Sequence, residues 1–167
     1  MQASLVVMGV SGCGKTSLAS ALAAALQLRF IEGDAHHSEA NLAKMREGTP
    51  LTDADRAGWL DTLAAELQAG APAVLSCSSL KRAYRDRLRA ASPGLRFVFM
   101  DITRDEALRR VESRGAAHFF STSLVDNQFA TLERPDGEPA VLLVDATAPL
   151  PQLQAEVFTW VQQQELA

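Results

Sequence analysis

The sequence predicts an α/β domain with a five-stranded parallel sheet flanked by helices. Two observations lead to this fold class. Short apolar segments alternate along the chain with longer helix-like segments, a pattern typical of strands joined by crossover helices. The first apolar segment runs into a glycine-rich loop, and an alanine- and leucine-rich segment follows that loop. Crossovers between the parallel strands are expected to be right-handed. Ligands are expected beyond the carboxyl ends of the strands.

The glycine-rich loop has the spacing G-x-x-x-x-G-K-[ST] of a phosphate-binding P-loop. Its glycines let backbone N–H groups turn towards phosphate oxygens, and the start of the next helix favours an anion. Lys15 is predicted to reach the β- and γ-phosphates, and the Thr16 hydroxyl is predicted to ligate Mg²⁺. The predicted nucleotide site comprises Gly9, Val10, Ser11, Gly12, Cys13, Gly14, Lys15, Thr16 and Ser17.

Length and composition restrict the class of protein. The 167 residues suit a single domain, 1–167, and the hydrophobic content of 47% is ordinary for a soluble chain. A net charge of −4 argues against a nucleic-acid partner. No apolar run reaches the length of a membrane span. The first strand is expected so close to Met1 that no signal peptide is expected before it. Two cysteines are too few for a disulfide framework. We therefore expect a cytoplasmic protein with no membrane partner.

The first half of the chain continues from the P-loop helix, residues 17–28, into a second strand. Ser38 is expected to cap a short helix, and Thr52 with Asp55 forms a capping box for a longer one. These two helices form an insertion at about residues 35–70. The first and second strands are predicted at residues 5–8 and 28–32.

The second half supplies three more strands, at residues 73–77, 95–100 and 141–144. Ser78 or Ser79 is predicted to cap a very basic helix that begins at Leu80. Further helices are predicted from a capping box at Thr103, around residues 121–133, and from Pro149 to about residue 164.

The class of P-loop protein follows from the rest of the chain. The chain lacks the N-K-x-D segment that reads guanine, and it is too short for a motor or transporter ATPase. A small kinase fits, with a lid at about residues 115–122.

Asp34 follows the second strand, at the edge where parallel sheets place their chemistry, and is predicted to hold the acceptor hydroxyl and take its proton. The alternative role of Asp34 is to cap the next helix.

Four segments resemble a known family, the small gluconokinases. Residues 33–60 are similar to the family's G-D-x-x-H-x-x-x-N-[IL]-x-K-M-x-x-G-x-P-L-x-D-x-D-R-x-x-W-L, and residues 76–89 to its C-S-x-L-K-[RK]-x-Y-R-D-x-L-R. Residues 118–120 and 128–133 resemble its lid and the helix that follows. The resemblance covers residues 5–150. It implies phosphorylation of D-gluconate to 6-phosphogluconate, with ATP and Mg²⁺ as cofactors, ATP and D-gluconate as partners, and an insertion that binds the substrate.

Gluconate carries a carboxylate and a row of hydroxyls, so its site needs a cation and hydrogen-bonding groups. The resemblance and this chemistry together give a set of substrate-binding candidates. They are Asp34, His37, Arg56, Lys81, Arg82, Arg85, His118 and Gln128. A solvated face is the alternative for the basic helix, and we expect it for Arg87 and Arg89. Arg56 has a further alternative, an ion pair with Asp53 or Asp55.

On the nucleotide side, Arg110 and Arg114 lie one helical turn apart, and the resemblance implies that one covers the phosphates and the other flanks adenine. Solvent exposure is their alternative, because Gly115 stands where the family commonly has an arginine. Ala146 and Thr147 follow the fifth strand and are predicted to line the adenine pocket.

Other functions stay open at this point. A shikimate or nucleoside-monophosphate kinase would also use Asp34 and a basic helix. A regulatory module that binds a nucleotide without turnover is a further alternative, because no aspartate follows the third strand. The resemblance is compatible with a homodimer, although the sequence pattern identifies no interface.

Overall fold

The chain forms a five-stranded, entirely parallel sheet with the strand order β2-β3-β1-β4-β5 in the computed structural model, which describes residues 2–114 and 122–167. The strands are β1 (Leu5–Met8), β2 (Arg29–Glu32), β3 (Ala73–Ser76), β4 (Arg96–Asp101) and β5 (Val141–Asp145). The helices are α1 (Lys15–Leu26), α2 (Glu39–Arg46), α3 (Asp53–Ala69), α4 (Arg82–Ala91), α5 (Arg104–Arg114), α6 (Thr122–Thr131) and α7 (Leu150–Leu166). The predicted fold class is confirmed.

The core lies on both faces of the sheet. On one face, α1 and α7 pack together through residues such as Leu22 and Val157. On the other face, α3 and α4 cover the sheet with residues such as Trp59, Leu63 and Leu88. The central strand β1 is buried along its whole length between β3 and β4, which explains its unbroken apolar sequence.

The parallel arrangement places the candidate residues at one edge. The P-loop follows the carboxyl end of β1, and a 3₁₀ turn, Gly33–His36, follows the carboxyl end of β2. Because β3 pairs with both strands, these two connections come close together at the same edge of the sheet.

Two predicted helix starts are confirmed. The Ser38 side chain accepts a hydrogen bond from the Asn41 amide at the start of α2. Thr52 and Asp55 form a complete capping box at the start of α3. Both caps are made by residues close in sequence, which is why the sequence could predict them.

The predicted cap of the basic helix is wrong. The helix begins at Arg82, and Lys81 occupies the capping position, where its side chain makes no capping hydrogen bond. Ser79 instead adopts a left-handed backbone conformation, with φ of 48°, in the turn after β3. The Arg82 amide donates to the Glu133 carboxylate at 2.9 Å, so the capping acceptor comes from the segment after α6.

Part of the predicted lid lies outside the described residues. Residues 115–121 belong to that part, and so does His118. Thr122, at the end of the predicted lid, is the first residue of α6. Across the described segments, no helix is both long and apolar enough to cross a membrane.

Candidate active site

A cleft opens at the carboxyl edge of the sheet, and its volume is about 840 Å³ when the open mouth is counted. The P-loop forms one wall, and the turn after β2 forms another. Side chains from α3 and α6 complete it. The residues that line the cleft include Ser11, Lys15, Thr16, Asp34, His37, Arg56, Trp59 and Gln128.

The P-loop is shaped for a phosphate. Gly12 and Gly14 have φ of 86° and 94°, a left-handed conformation that strains any other residue. A Cβ on Gly12 would also lie 2.9 Å from the Ala107 carbonyl oxygen. Helix α1 begins directly after Gly14, so the free amides of its first turn face the cleft. Lys15 Nζ donates to the Val10 carbonyl at 3.2 Å and lies across the loop.

The donor set beside the loop fits Mg²⁺. The Thr16 hydroxyl donates to Glu32 Oε2 at 2.7 Å, and the Asp34 side chain lines the same cleft. Hydroxyl and carboxylate oxygens are the ligands that Mg²⁺ prefers, together with substrate phosphates. Among the described residues no group of three or more His, Cys, Asp or Glu could hold a metal alone, so phosphate oxygens would complete the coordination.

Asp34 lies in a turn that the sequence fixes closely. A Cβ on Gly33 would come within 2.2 Å of the Ser76 carbonyl oxygen, so only glycine allows this approach to β3. The Trp59 indole N–H donates to the Gly33 carbonyl at 2.8 Å and holds the turn from the other side. Helix α2 is capped by Ser38, so the alternative that Asp34 caps it is wrong.

His37 lies beside Asp34 and is neutral at physiological pH. Its ring stacks on Trp59 with 4.2 Å between ring centroids. Burial, assisted by the nearby Arg56 charge, lowers the pKa of His37 to about 4. The Asn41 side-chain amide lies 3.2 Å from Nδ1, and an amide N–H is a donor, so Nδ1 accepts and Nε2 carries the proton. His37 therefore offers one N–H donor.

Arg56 is the predicted substrate cation that the structure brings to the cleft. Its side chain is buried, donates to the Tyr84 hydroxyl at 3.3 Å, and lies over the Tyr84 ring. The alternative ion pairs of Arg56 are wrong. Asp53 pairs with Lys81 at 3.0 Å and also accepts from Tyr84, whereas Asp55 pairs with Lys44 at 2.8 Å.

The other basic candidates lie outside the lining of the cleft. Lys81 pairs with Asp53, and Arg82 is exposed beside Asp86. Arg85 is completely buried, where it pairs with Glu138 and donates to the Ser79 and Glu133 carbonyl oxygens. None of the three lines the cleft.

The two arginines predicted to be solvated differ from each other. Arg87 is exposed and pairs with Asp61, as expected. The expectation for Arg89 is wrong, because its guanidinium pairs with the buried Glu138 carboxylate and lies 4.7 Å from the centre of the Phe97 ring.

Arg110 connects the P-loop to the segment after β5. Its guanidinium donates to the carbonyl oxygens of Gly12, at 3.3 Å, and of Ala146, at 3.0 Å. The alternative of simple solvent exposure is therefore wrong for Arg110. Thr147 turns back to Asp145 through its amide and hydroxyl. Arg114, at the end of α5, lines the cleft.

Comparison with known proteins identifies the family of this chain. The model of an AAA domain family matches residues 5–135. The gluconokinase of Gluconobacter oxydans (strain 621H) is 50% identical over 142 residues, which cover 82% of this chain and 79% of the relative. The chain belongs to the gluconokinase family.

Solved structures extend the comparison. A gluconokinase from Sinorhizobium meliloti 1021 has 44% identity and a TM-score of 0.90, over 97% of this chain and 93% of that one. A shikimate kinase from Aquifex aeolicus vf5 has 16% identity and a TM-score of 0.70, over 97% and 98% of the two chains, and shares the fold alone. The family is thus gluconokinase, on a fold that shikimate kinases also use.

Several residues at the cleft were not predicted from the sequence. Glu32 ends β2 two residues before Asp34, and its strand-end position was a usable signal. Trp59 and Tyr84 stand in segments that resemble the family, but no role was predicted for either residue. Asn41 matches the asparagine of the family's pattern but was assigned no role, and Asn127 carries no local signal for one.

Proposed function

We propose that this chain transfers the γ-phosphoryl group of ATP to a hydroxyl of D-gluconate and forms 6-phospho-D-gluconate. One observation carries the proposal: the P-loop and Asp34 line one cleft, so a nucleotide phosphate and an acceptor hydroxyl can meet there. The family membership supports the choice of acceptor.

Phosphoryl transfer needs positioning and charge neutralisation more than covalent chemistry. The Lys15 ammonium and the first-turn amides of α1 neutralise charge on the phosphates. Asp34 holds the acceptor hydroxyl and accepts its proton as the new P–O bond forms. When bound beside Thr16, Mg²⁺ supplies further positive charge to the phosphate oxygens.

The acceptor side recognises a carboxylate and hydroxyls. Arg56 supplies the cation, because among the described residues its side chain pairs with a neutral phenol and with no carboxylate. His37 supplies an N–H donor for a hydroxyl. The roles that the resemblance implied for Lys81, Arg82 and Arg85 are not supported by their positions.

Three further assignments belong to this proposal. Mg²⁺ serves as the metal, supported by the Thr16 and Glu32 donors. The enzyme acts in the cytoplasm, which its two free cysteines favour, and without a membrane partner; its net charge of −4 argues against a nucleic-acid partner. A homodimer stays a prediction of the resemblance.

A coupled assay of ADP release with Mg-ATP tests the proposal. D-gluconate, shikimate and a set of nucleoside monophosphates are compared side by side, and turnover is expected with gluconate alone. Turnover with another acceptor would overturn the assignment of gluconate as the substrate, and ATP binding without any turnover would favour the regulatory module.

Arg56→Lys should raise KM for gluconate about tenfold, because a bidentate contact is lost, whereas Arg82→Met should not change it.

A further inference from the structure

The P-loop makes one contact that its phosphate chemistry does not require. The Ser11 amide donates a hydrogen bond to Gln128 Oε1 at 2.6 Å, across 117 residues of sequence. Both residues are nearly inaccessible, with exposures of 4% for Ser11 and 7% for Gln128. Gln128 lies on α6, so a helix far away in the sequence touches the loop directly.

The Ser11 contact fixes the orientation of the Gln128 amide group. A backbone N–H is a donor, so the side-chain atom that faces Ser11 is the carbonyl oxygen, and Nε2 points away from it. Among the described residues, Nε2 has no hydrogen-bond acceptor, although Gln128 lines the cleft. The amide therefore has N–H donors available for a ligand in the cleft.

The position of Gln128 along the cleft indicates which ligand atoms it meets. The predicted base end of the nucleotide site, at Ala146 and Thr147, does not line this cleft, and neither does Arg110. Gln128 lines it together with Lys15 and Asp34. The transferred phosphoryl group must lie between the P-loop and the acceptor, so Gln128 is placed beside the third phosphate rather than beside the base.

Helix α6 is held firmly enough to aim this amide. Near its middle, Asp126 forms two hydrogen bonds with Arg104 of α5, at 2.5 and 3.1 Å. Just after its end, Glu133 accepts from the Arg82 amide and donates its own amide to the Leu80 carbonyl at 2.7 Å. A donor on a helix held near its middle and just after its last turn is preorganised for developing charge.

We propose that Gln128 contacts the γ-phosphoryl group. In this arrangement Oε1 accepts a hydrogen bond from the Ser11 amide of the P-loop, and Nε2 donates a hydrogen bond to the transferring phosphate. This assignment replaces the predicted contact of Gln128 with the sugar acid. The expected effect on turnover rests on the proposed function. The expected effect on nucleotide affinity depends only on nucleotide binding at the P-loop.

Gln128→Glu tests the proposal, because it keeps an acceptor for Ser11 and replaces the donor with an anionic oxygen. Calorimetry at about pH 8, with Mg²⁺, compares ADP with the β,γ-imido analogue of ATP. ADP affinity should stay within about threefold, whereas affinity for the analogue should fall at least tenfold, since only the analogue carries a third phosphate. With gluconate, kcat should fall about 100-fold and partly recover towards pH 5.5, because burial and the neighbouring phosphates raise the pKa of the new carboxyl, so that a fraction of it is protonated there and can donate.

Two further variants keep the test decisive. Gln128→Leu removes donor and acceptor without adding charge, and should weaken the analogue more than ADP with no recovery at low pH. Ala130→Ser, on an exposed position of the same helix, should match the wild type in every measurement. Equal weakening of ADP and the analogue, or a rise in KM for gluconate alone, would overturn the proposal. If the wild type does not phosphorylate gluconate, the proposed function fails, but the two nucleotide affinities still decide the role of Gln128.

Discussion

The Thr16 hydroxyl donates a 2.7 Å hydrogen bond to Oε2 of Glu32 and so connects the first turn of α1 to the end of β2. The donated proton leaves the lone pairs of the hydroxyl oxygen free to face a cation. A carboxylate that orients a metal ligand also makes that ligand a better donor. The contact therefore places a carboxylate of the second strand next to Thr16, the proposed Mg²⁺ ligand.

Glu32→Gln should raise the Mg²⁺ concentration needed for half-maximal activity about tenfold. The glutamine carbonyl can still accept from Thr16, but the negative charge beside the cation is lost. A Mg²⁺ titration at saturating ATP and gluconate measures the effect, and KM for gluconate should not change. Glu47→Gln, at an exposed position just after α2, is the matched control. An unchanged Mg²⁺ requirement would exclude Glu32 from the metal site.

Asp34→Asn should lower kcat by about 10² to 10⁴, because an amide cannot accept the proton of the acceptor hydroxyl. ADP affinity and the midpoint of thermal unfolding should stay near the wild-type values, since the turn is held by Gly33 and Trp59. Asp61→Asn removes a surface carboxylate that pairs with Arg87, and serves as the control. Near-normal turnover of Asp34→Asn would assign the proton acceptor elsewhere.

His37 should make stability depend on pH in a defined direction. The pKa of His37 is about 4 in the folded protein, where burial and the Arg56 charge disfavour the imidazolium, and about 6.5 in the unfolded chain. Between these values the unfolded state binds more protons, so the free energy of unfolding decreases as pH falls from 6.5 to 4.

Replacing His37 by phenylalanine, which keeps a ring against Trp59, should remove this contribution, worth about 1 kcal/mol after allowance for the partly exposed ring. Urea unfolding of wild type and variant at several pH values measures the difference between them. His36→Asn, next in sequence, is the control and should keep the wild-type slope. Parallel stability curves for wild type and His37→Phe would show that His37 does not titrate in this way.

The sequence predicted the parts of the site whose signals are local. The P-loop carries its own spacing, and Asp34 stands at a strand end that apolar residues define. Each of these follows a strand of a parallel sheet, so the fold itself brings them together. The two helix caps at Ser38 and Thr52 were predicted for the same reason.

The sequence could not decide which cations face the cleft. Arg85 stands three residues before Leu88 and one after Tyr84, and all three lie on the buried side of α4. The helical spacing of these residues could therefore have predicted that Arg85 is buried. Its partner Glu138 is 53 residues away, and no local pattern connects the two. Likewise, the Gln128 contact with Ser11 depends on how α6 packs, which the spacing of α6 residues does not specify.

Arg85→Met should therefore affect stability rather than substrate binding. The variant leaves the buried Glu138 carboxylate with Arg89 alone and frees two carbonyl oxygens, and loss of one partner of a buried ion pair costs about 3–5 kcal/mol. KM for gluconate should stay unchanged where the variant is folded. Arg87→Met, which removes an exposed pair from the same helix, should cost less than about 1 kcal/mol in the same urea titration. An increase in KM at unchanged stability would instead return Arg85 to the substrate site, because a buried structural arginine has no route to affect substrate affinity while the fold stays intact.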